Sequence, residues 1–286
     1  MIIFFAEGRL GNQLFEYSFL QTIKKKGEVL LTSGLEEVKK YFDHDNFTNI
    51  SRSVRFTRIL MYEILKRIIS LLSSYKVIST LSVVREVVNG LDRETSKLQL
   101  ENGLINNIKY VKTGYFQSNT FFSSKITKHL NLKKVYVEQA KKIISNLPSN
   151  SYLVFVHIRR GDYRQFTMSG KSTYLPISYY KSCITWFLSH KKNPYFIFLS
   201  DEPKSIEDDF REIKNKIISY NNPGVDLGIM RLCSGAILSP SSFSWWGSYL
   251  MTNRDVVFAP KHWLGFNFGV EGHKGSTPTY AKVIKI

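Results

Sequence analysis

The sequence is poor in cysteine, since Cys183 and Cys233 are the only two among 286 residues. They are not spaced like metal ligands, and both stand in apolar segments. We therefore expect two reduced thiols in the protein core, in a reducing compartment. Pairs of the type His-x-x-x-His and Cys-x-x-Cys are missing, and no Asp-x-Asp pair stands in a context typical of a cation site. The sequence thus predicts no metal site and no cofactor.

Long hydrophobic runs are missing as well. No uninterrupted apolar stretch reaches the roughly 20 residues that span a bilayer. The first residues, MIIFFAEGRLGNQ, have neither the positively charged start nor the small-residue cleavage site of a secretory signal. From these two features we expect a cytoplasmic protein.

Acidic residues are scarce relative to basic ones. Forty Lys and Arg stand against 23 Asp and Glu, which gives a formal net charge of +17. Such an excess indicates a polyanion or an anionic surface as partner: nucleic acid, acidic lipid or a phosphorylated small molecule. The charge alone does not choose among them. Because no helix-turn-helix, zinc or RNP-type motif is present, we predict no nucleic-acid partner.

One apolar segment also carries basic charge. Between Arg58 and Leu72, apolar residues recur at spacings of three and four, which predicts an amphipathic helix. These residues are Leu60, Met61, Ile64, Leu65, Ile68, Leu71 and Leu72. Two interpretations are open. Either the helix packs on the core and exposes a solvated face, or it lies on acidic lipid at the inner face of the membrane.

The second half of the sequence alternates between short apolar runs and helical patterns, which is typical of a parallel, doubly wound sheet. Strands are predicted at 152–157, 195–200, 216–220, 236–239 and 255–259, and helices at 178–190, 203–213, 225–233 and 243–252. A strand, glycine loop and helix also begin at Ile2. Because residues 146–151 break the pattern, we predict domains 1–148 and 149–286.

Polar segments follow four of the predicted strands. They are EGRLGNQ from Glu7, IRRGDY from Ile158, DEPK from Asp201 and PSSFSWW from Pro240. Ligands of open parallel sheets bind beyond the carboxyl ends of the strands. The coincidence predicts a ligand site at this edge.

Arg159 and Arg160 suit a bidentate clamp on a phosphate or diphosphate. In that interpretation Gly161 allows close backbone approach and Asp162 orients one guanidinium. The alternative is an arginine–aspartate pair that braces a tight turn. The tripeptide Arg-Gly-Asp is too weak a signal to indicate an adhesion site.

The other polar side chains at this edge also have two interpretations each. Ser241 and Ser242 hold a phosphate oxygen together with helix-start amides, or they cap the helix. Asp201 accepts hydrogen bonds from a base or sugar, or it caps the following helix. His157 is a ligand contact or a core histidine.

The glycine loop after the first strand has neither the G-x-G-x-x-G dinucleotide fingerprint nor the lysine of a Walker loop. Its glycines serve the turn. Asn12 and Gln13 in this loop offer amide groups to a polar ligand.

Five segments, in order, resemble the motifs of the α-1,2-fucosyltransferases of glycosyltransferase family 11. They are GRLGNQLFEY at 8–17, GYFQS at 114–118, HIRRGDY at 157–163, SDE at 200–202 and SPSSFSWWGSYL at 239–250. The resemblance implies a GT-B type fold, with two Rossmann-like domains facing across a cleft. Domain 1–148 would be the acceptor side and domain 149–286 the GDP-fucose side. Residues 34–110 match no motif, and we expect them to help define the acceptor.

The resemblance also implies residue roles. Arg159 matches the phosphate-binding arginine and would stabilise the leaving GDP, with Arg160 as a supporting charge. His157 and Asp201 match positions that contact guanosine, and Asn12 would approach the diphosphate or fucose from the other domain. The complete set predicted to bind the donor is Asn12, His157, Arg159, Arg160, Asp162, Asp201, Ser241 and Ser242.

The implied reaction is an inverting, metal-independent transfer of L-fucose from GDP-fucose to the 2-hydroxyl of a terminal galactose in a bacterial surface glycan. Fixed guanidiniums and helix dipoles would take the place of a cation at the leaving diphosphate. For the catalytic base, Glu7 and His44 are only candidates. SDE stands where SDD is common in the family, and EYS replaces QYA. The alternatives are a protein O-fucosyltransferase, whose GRxGNQ-like segment is similar, and a basic nucleic-acid-binding protein.

Overall fold

The computed structural model describes residues 1–43, 47–50, 56–127 and 130–286, and these form two compact units. The first unit comprises Met1–Glu86 and Glu94–Asn131, and the second comprises Val87–Arg93 and Leu132–Ile286. Each unit contains a six-stranded sheet with helices. The predicted class, two Rossmann-like α/β units of the GT-B type, is confirmed.

The described part of the first unit contains six strands and four α-helices. The strands are β1 (Ile2–Phe5), β2 (Leu30–Ser33), β3 (Thr48–Ile50), β4 (Ile78–Val88), β5 (Leu91–Glu101) and β6 (Ile105–Val111). The helices are α1 (Leu10–Ile23), α2 (Glu36–Tyr41), α3 (Phe56–Ser74) and α4 (Ser124–Thr127).

Strand β1 lies in the middle of the first sheet, whose order is β3-β2-β1-β6-β4-β5. It pairs in parallel with β2 and β6, and all four of its residues are buried. Burial on both faces explains why its sequence is continuously apolar rather than alternating. The predicted strand, glycine loop and helix at the start of the chain are confirmed, and the loop lies at the carboxyl end of β1.

Strands β4 and β5 form a hairpin that the sequence pattern of residues 73–113 does not predict. The connecting residues Asn89 and Gly90 have φ angles of 53° and 79°, as a type I′ turn requires. The turn, Val87–Arg93, is part of the second unit. There Asn89 donates a hydrogen bond to the carbonyl of Phe268 at 3.0 Å, and Arg93 donates one to the carbonyl of Glu271 at 3.2 Å.

Helix α3 confirms the helix predicted at 58–72. Tyr62 and Ile69 are buried in the core of the first unit, where the Tyr62 ring meets the edge of Phe5 at 5.5 Å. One face of the helix therefore packs on the core, as the first interpretation predicts. Apolar side chains on a different face of α3 are about half exposed, namely Ile64, Ile68 and Leu71.

The second unit contains four α-helices and eight strands. The helices are α5 (Lys134–Ser145), α6 (Ile177–His190), α7 (Pro223–Leu232) and α8 (Ser242–Tyr249). The strands are β7 (Tyr152–Ile158), β8 (Thr167–Met168), β9 (Lys171–Ser172), β10 (Pro194–Ser200), β11 (Lys216–Ile218), β12 (Gly235–Ile237), β13 (Val256–Pro260) and β14 (Lys282–Ile284).

The main sheet of the second unit has the order β11-β10-β7-β12-β13-β14, and its strands pair in parallel. Counted along the chain without the small hairpin β8–β9, this is the Rossmann order 3-2-1-4-5-6. The direction of winding reverses between β7 and β12. Ligands of such sheets bind at this switch point, beyond the carboxyl ends of the two strands.

Two predictions about the second half need correction. The helix predicted at 203–213 is a short 3-10 turn, Pro203–Ile206, followed by irregular turns. Its apolar residues Ile206 and Phe210 are fully buried, as the predicted spacing requires. The segment is nevertheless not a helix, and its Ser205 and Asp209 contact Arg160.

The predicted boundary at 148/149 would leave α5 outside the second unit. The helix belongs there, packed closely enough on α7 that a Cβ at Gly228 would lie 2.7 Å from that of Ala140.

Both cysteines are free and buried, as predicted. Burial raises the pKa of the Cys183 thiol to about 12, which makes it a poor nucleophile at neutral pH. None of the described helices combines the length and the apolar character needed to cross a membrane.

Candidate functional site

Arg159 lies directly after β7, at the switch point of the second sheet. Its Nη1 is 3.0 Å from Oδ2 of Asp201, and its Nη2 is 2.7 Å from Oδ1 of Asp162. The side chain is 15% exposed, and its guanidinium lies 5.4 Å from the ring centre of Tyr163. The predicted orientation of one arginine by Asp162 is therefore present. A planar cation held in this way suits bidentate contact with a phosphate.

Asp201, at the end of β10, holds the backbone of the same loop. Its Oδ1 accepts a hydrogen bond from the backbone N–H of Arg160 at 2.9 Å. Gly161 follows with φ +21°, and a Cβ added there would lie 2.5 Å from Oδ2 of Asp201. The loop therefore needs glycine so that the carboxylate can approach. The helix-cap interpretation of Asp201 is wrong, because both of its oxygens bind this loop.

Arg160 is placed differently from its neighbour. It is 6% exposed, forms an ion pair with Asp209, and donates from Nη1 to the carbonyl of Ser205 at 3.4 Å. These contacts match the alternative interpretation, in which an arginine–aspartate pair braces a turn. The role of Arg160 toward the donor stays a prediction.

His157 is the penultimate residue of β7 and is 4% exposed. Its Nδ1 lies 2.7 Å from Oγ of Ser239, in the loop after β12. Because β7 and β12 are neighbours, this hydrogen bond spans the switch point. Burial, together with the charge of Arg159, lowers the pKa of His157 to about 3. The imidazole is therefore neutral near pH 7.

Helix α8 begins beside this bond. Ser241 is its N-cap, with Oγ accepting a hydrogen bond from the backbone N–H of Phe243 at 3.3 Å. The hydroxyl of Ser244 donates to the carbonyls of Ser239 and Ser241 at 2.8 and 2.9 Å. The N-cap interpretation is confirmed for Ser241, while Ser242 is the first helical residue. The amides and dipole of this helix start favour an anion at the same edge.

In the first unit, the first turn of α1 holds an oriented amide above the loop after β1. Asn12 accepts a hydrogen bond on Oδ1 from Nε2 of Gln117 at 3.0 Å. Gly8 has φ +86°, and a Cβ added there would lie 2.4 Å from Nδ2 of Asn12. Glycine is therefore required at this position both for the turn and for the approach of the amide.

Gln13 has a structural role that the sequence pattern does not reveal. It is 5% exposed, and its Oε1 accepts the backbone N–H groups of Glu37 at 2.9 Å and Val38 at 3.4 Å. These are first-turn amides of α2. Its Nε2 donates to the carbonyl of Gly8 at 3.1 Å. The amide of Gln13 is thus used within the fold rather than offered to a ligand.

Glu7, two residues after the end of β1, is the candidate base that the structure describes. Its Oε1 lies 3.0 Å from Nζ of Lys66 on α3, and its side chain is 38% exposed. The other candidate, His44, lies outside the described residues. Within the described part of the chain, no three His, Cys, Asp or Glu side chains are grouped as a metal site would require.

Three residues of this arrangement were not assigned roles from the sequence. Ser239 and Gln117 belong to segments that carry the family resemblance, so the sequence marks both positions. It does not predict that they hydrogen-bond to His157 and Asn12. Asp209, which pairs with Arg160, is marked by no local pattern. Its contact depends on how two separate loops fold together.

Two α/β units with six-stranded sheets, one of them in Rossmann order with an arginine held at its switch point, have the architecture of the GT-B type. The model of the family described as Glycosyl transferase family 11 matches residues 1–275. The chain belongs to this family.

The sequence is similar to that of several curated enzymes. It is 29% identical to the O-antigen biosynthesis glycosyltransferase WbnK of Escherichia coli, over 60% of this chain and 59% of WbnK. It is 24% identical to an alpha-1,2-colitosyltransferase of Escherichia coli, over 90% of each chain. Identity to the galactoside 2-alpha-L-fucosyltransferase SEC1 of Bos taurus is 25%, over 53% of this chain and 45% of that enzyme. The matches thus span less than two thirds of WbnK and of SEC1.

Solved structures show the same fold. A glycosyl transferase family 9 protein from Veillonella parvula aligns with a TM-score of 0.58 and 13% identity, over 100% of this chain and 85% of that one. POFUT1, solved in complex with GDP-fucose, aligns with a TM-score of 0.50 and 14% identity, over 100% of this chain and 97% of that one.

Proposed function

We propose that this protein transfers L-fucose from GDP-fucose to the 2-hydroxyl of a galactose at the end of a bacterial surface glycan. Family membership supports a glycosyltransferase, and the relative named as a galactoside 2-alpha-L-fucosyltransferase supports the sugar and the linkage. POFUT1, solved with GDP-fucose, supports a GDP-linked donor.

The observation that carries this proposal is the placement of Arg159. Breaking the bond from the anomeric carbon to the phosphate oxygen leaves negative charge on GDP, which a fixed guanidinium stabilises. Asp201 holds one edge of that guanidinium, while its other partner, Asp162, has a side chain that is 56% exposed. A donor diphosphate would compete with Asp162 for Nη2, whereas the Asp201 contact would keep the cation aligned.

The surroundings of Arg159 suit the same ligand. The start of α8 adds partial positive charge from its amides, and His157 holds the loop from Ser239 in place through its hydrogen bond. We propose donor contacts for the whole predicted set, with Arg160 as a supporting charge whose guanidinium is held by Asp209 and by the carbonyl of Ser205. The transfer would invert the anomeric centre and need no metal ion.

We propose that Asn12 hydrogen-bonds the fucose of the donor, whose hydroxyls suit an amide. An inverting displacement benefits from a base on the attacking hydroxyl. Glu7 is a half-exposed carboxylate beside Lys66, and it is the residue to test for this role. The Glu7→Gln variant keeps the shape and removes the basicity.

The test is release of GDP from GDP-fucose in the presence of EDTA, with and without a β-galactoside, followed by mass and linkage analysis of the product. We expect acceptor-dependent release and a deoxyhexose joined through the 2-hydroxyl of galactose. Transfer to a protein hydroxyl would favour the O-fucosyltransferase alternative. Failure to bind GDP in direct titration, alongside salt-sensitive DNA binding, would overturn the proposal.

The colitosyltransferase similarity raises a second candidate donor. That relative matches 90% of this chain, more than WbnK or SEC1 does, so GDP-colitose is compared with GDP-fucose in the same assay. A higher kcat/KM with GDP-colitose would keep the α-1,2 transferase class and change the sugar.

A further inference from the structure

Helix α3 presents a row of apolar side chains that remain about half exposed or more. Ile64, Ile68, Leu71 and Tyr75 are 48%, 47%, 56% and 77% exposed. Their spacing of four, three and four places them along one helix face. Tyr75 continues the helix, because its backbone N–H donates to the carbonyl of Leu71 at 3.0 Å. This face is distinct from the one that buries Tyr62.

The surface continues into the chain that leads to β6. Leu104 is 86% exposed, and its backbone N–H donates to the carbonyl of Lys76 at 2.9 Å. Lys76 directly follows Tyr75, so Leu104 lies beside the end of the helical stripe. We call the five residues Ile64, Ile68, Leu71, Tyr75 and Leu104 the apolar surface. An exposed apolar area of this kind marks an interaction site.

Cations accompany the apolar surface. Arg67 and Lys76 are both exposed. Arg67 lies one turn from both Ile64 and Leu71, and Lys76 lies between Tyr75 and the bond to Leu104. Neither makes an ion pair with a described carboxylate, whereas Lys66, on the buried side of the same helix, is neutralised by Glu7. Glu63 is the one acidic residue within α3.

Charge decides between the partners that such a surface fits. A second copy of the chain would bring another net charge of +17 to the interface, which opposes self-association. Nucleic acid gains little from aliphatic side chains, since its binding sites rely on cations and aromatic stacking. A bilayer containing acidic lipid interacts with both the apolar side chains and the cations. The apolar side chains lie at the acyl boundary, and Arg or Lys lies among the headgroups.

We propose that the apolar surface docks this protein on an anionic lipid bilayer, with Arg67 and Lys76 in the headgroup layer. This is the lipid interpretation of the helix, now confined to one face, while the opposite face packs on the core. The proposal does not depend on the reaction assigned to the enzyme, because lipid binding is measured without donor or acceptor.

The test is co-sedimentation of the full chain with vesicles of phosphatidylcholine alone and of phosphatidylcholine mixed with phosphatidylglycerol. We expect binding to the mixed vesicles, weakened by salt. The double variant Ile68→Ser with Leu71→Ser, and separately Arg67→Gln with Lys76→Gln, should each lower affinity by roughly tenfold or more. The matched control is Val135→Ser with Leu188→Ser, whose side chains are 54% and 50% exposed in the second unit, and it should bind like wild type.

Circular dichroism melting checks that each variant is folded. Equal binding to both vesicle types, or equal loss in the control variant, would overturn the proposal. Sedimentation velocity without vesicles gives a further decisive result. A concentration-dependent dimer that Ile68→Ser with Leu71→Ser abolishes would assign the apolar surface to a second copy instead.

Discussion

The loops after β1 and β7 occupy equivalent places, each at the carboxyl end of a central parallel strand in its own unit. Both contain a glycine with positive φ, and in both a polar side chain closes over that glycine. Over Gly8 the side chain is the amide of Asn12, from the first turn of α1, whereas over Gly161 it is the carboxylate of Asp201, from the residue after β10, which holds Arg159. The same backbone arrangement therefore carries two chemistries, a neutral amide in one unit and a fixed cation in the other.

The largest expected effect tests the charged loop. The Arg159→Ala variant should lower turnover of GDP-fucose by about 10²–10³-fold, because one preorganised group at the leaving charge is removed. Steady-state kinetics measures this loss. The matched control is Arg164→Ala, whose exposed side chain pairs with Glu202 at 2.7 Å and should change turnover little. Equal activity of Arg159→Ala and wild type would refute the assignment.

The two glycines offer a direct way to separate the loops. Gly161→Ala would push against Asp201 and should weaken binding of both GDP and GDP-fucose, whereas Gly8→Ala would push against Asn12 and should raise the KM for GDP-fucose with GDP binding unchanged. Gly27→Ala is the control, because its φ is also positive, at 78°, but nothing lies within 4 Å of the added Cβ. It should cost about 1–2 kcal/mol of stability with kinetics unchanged. Identical kinetic changes in both loop variants would contradict the division of roles.

Loss of the amide should affect stability at Gln13 and turnover at Asn12, although the two residues are adjacent in α1. The Gln13→Ala variant should lower the free energy of unfolding by about 1–2 kcal/mol, because it removes acceptors from the start of α2. Per folded molecule its turnover should remain near that of wild type. Asn12→Ala should instead keep stability and weaken turnover. Urea denaturation together with kinetics distinguishes the two, and a reversed pattern would mean that Asn12 is the structural amide.

The smallest effect near neutral pH concerns His157. The pKa of His157 is about 3 in the folded protein, against an ordinary value of 6.5. Between these two pH values the imidazole is protonated in the unfolded chain but not in the folded one. Stability should therefore fall as pH drops below about 6.5, and this contribution should level off near 3. The His157→Gln variant should show a flatter dependence of unfolding free energy on pH. An unchanged slope would show that folding does not lower the pKa of His157.

The sequence pattern predicts the strands and helices of the second unit better than those of the first. Buried parallel strands such as β7 give continuous apolar runs, and Arg159, Asp162 and Ser241 stand at strand ends where ligands bind. The hairpin β4–β5 was missed although its Asn89-Gly90 turn is a recognised signal, because partly exposed strands lack a clean apolar pattern. The segment after Pro203 has a clear apolar pattern that predicts a helix, yet it forms irregular turns. Its contacts are with a distant residue, Arg160.

Side-chain partners were the least predictable part of the site. The sequence placed Asp201 and Arg159 at one edge but gave no means of knowing that a single carboxylate serves a guanidinium and a backbone amide together. The capping of α2 by Gln13 depends on a contact across 24 residues of chain. Local patterns predict where polar groups emerge, whereas their pairing depends on the packing of separate elements.

The turn Val87–Arg93 has a consequence for recombination between related enzymes. The chain passes between the two units at 86/87, 93/94 and 131/132, so no single crossover separates them. A hybrid joined only at 131/132 would pair one parent's turn with the other parent's partners for Asn89 and Arg93. Hybrids made by gene shuffling should therefore fold more often when residues 87–93 are inherited together with the C-terminal segment.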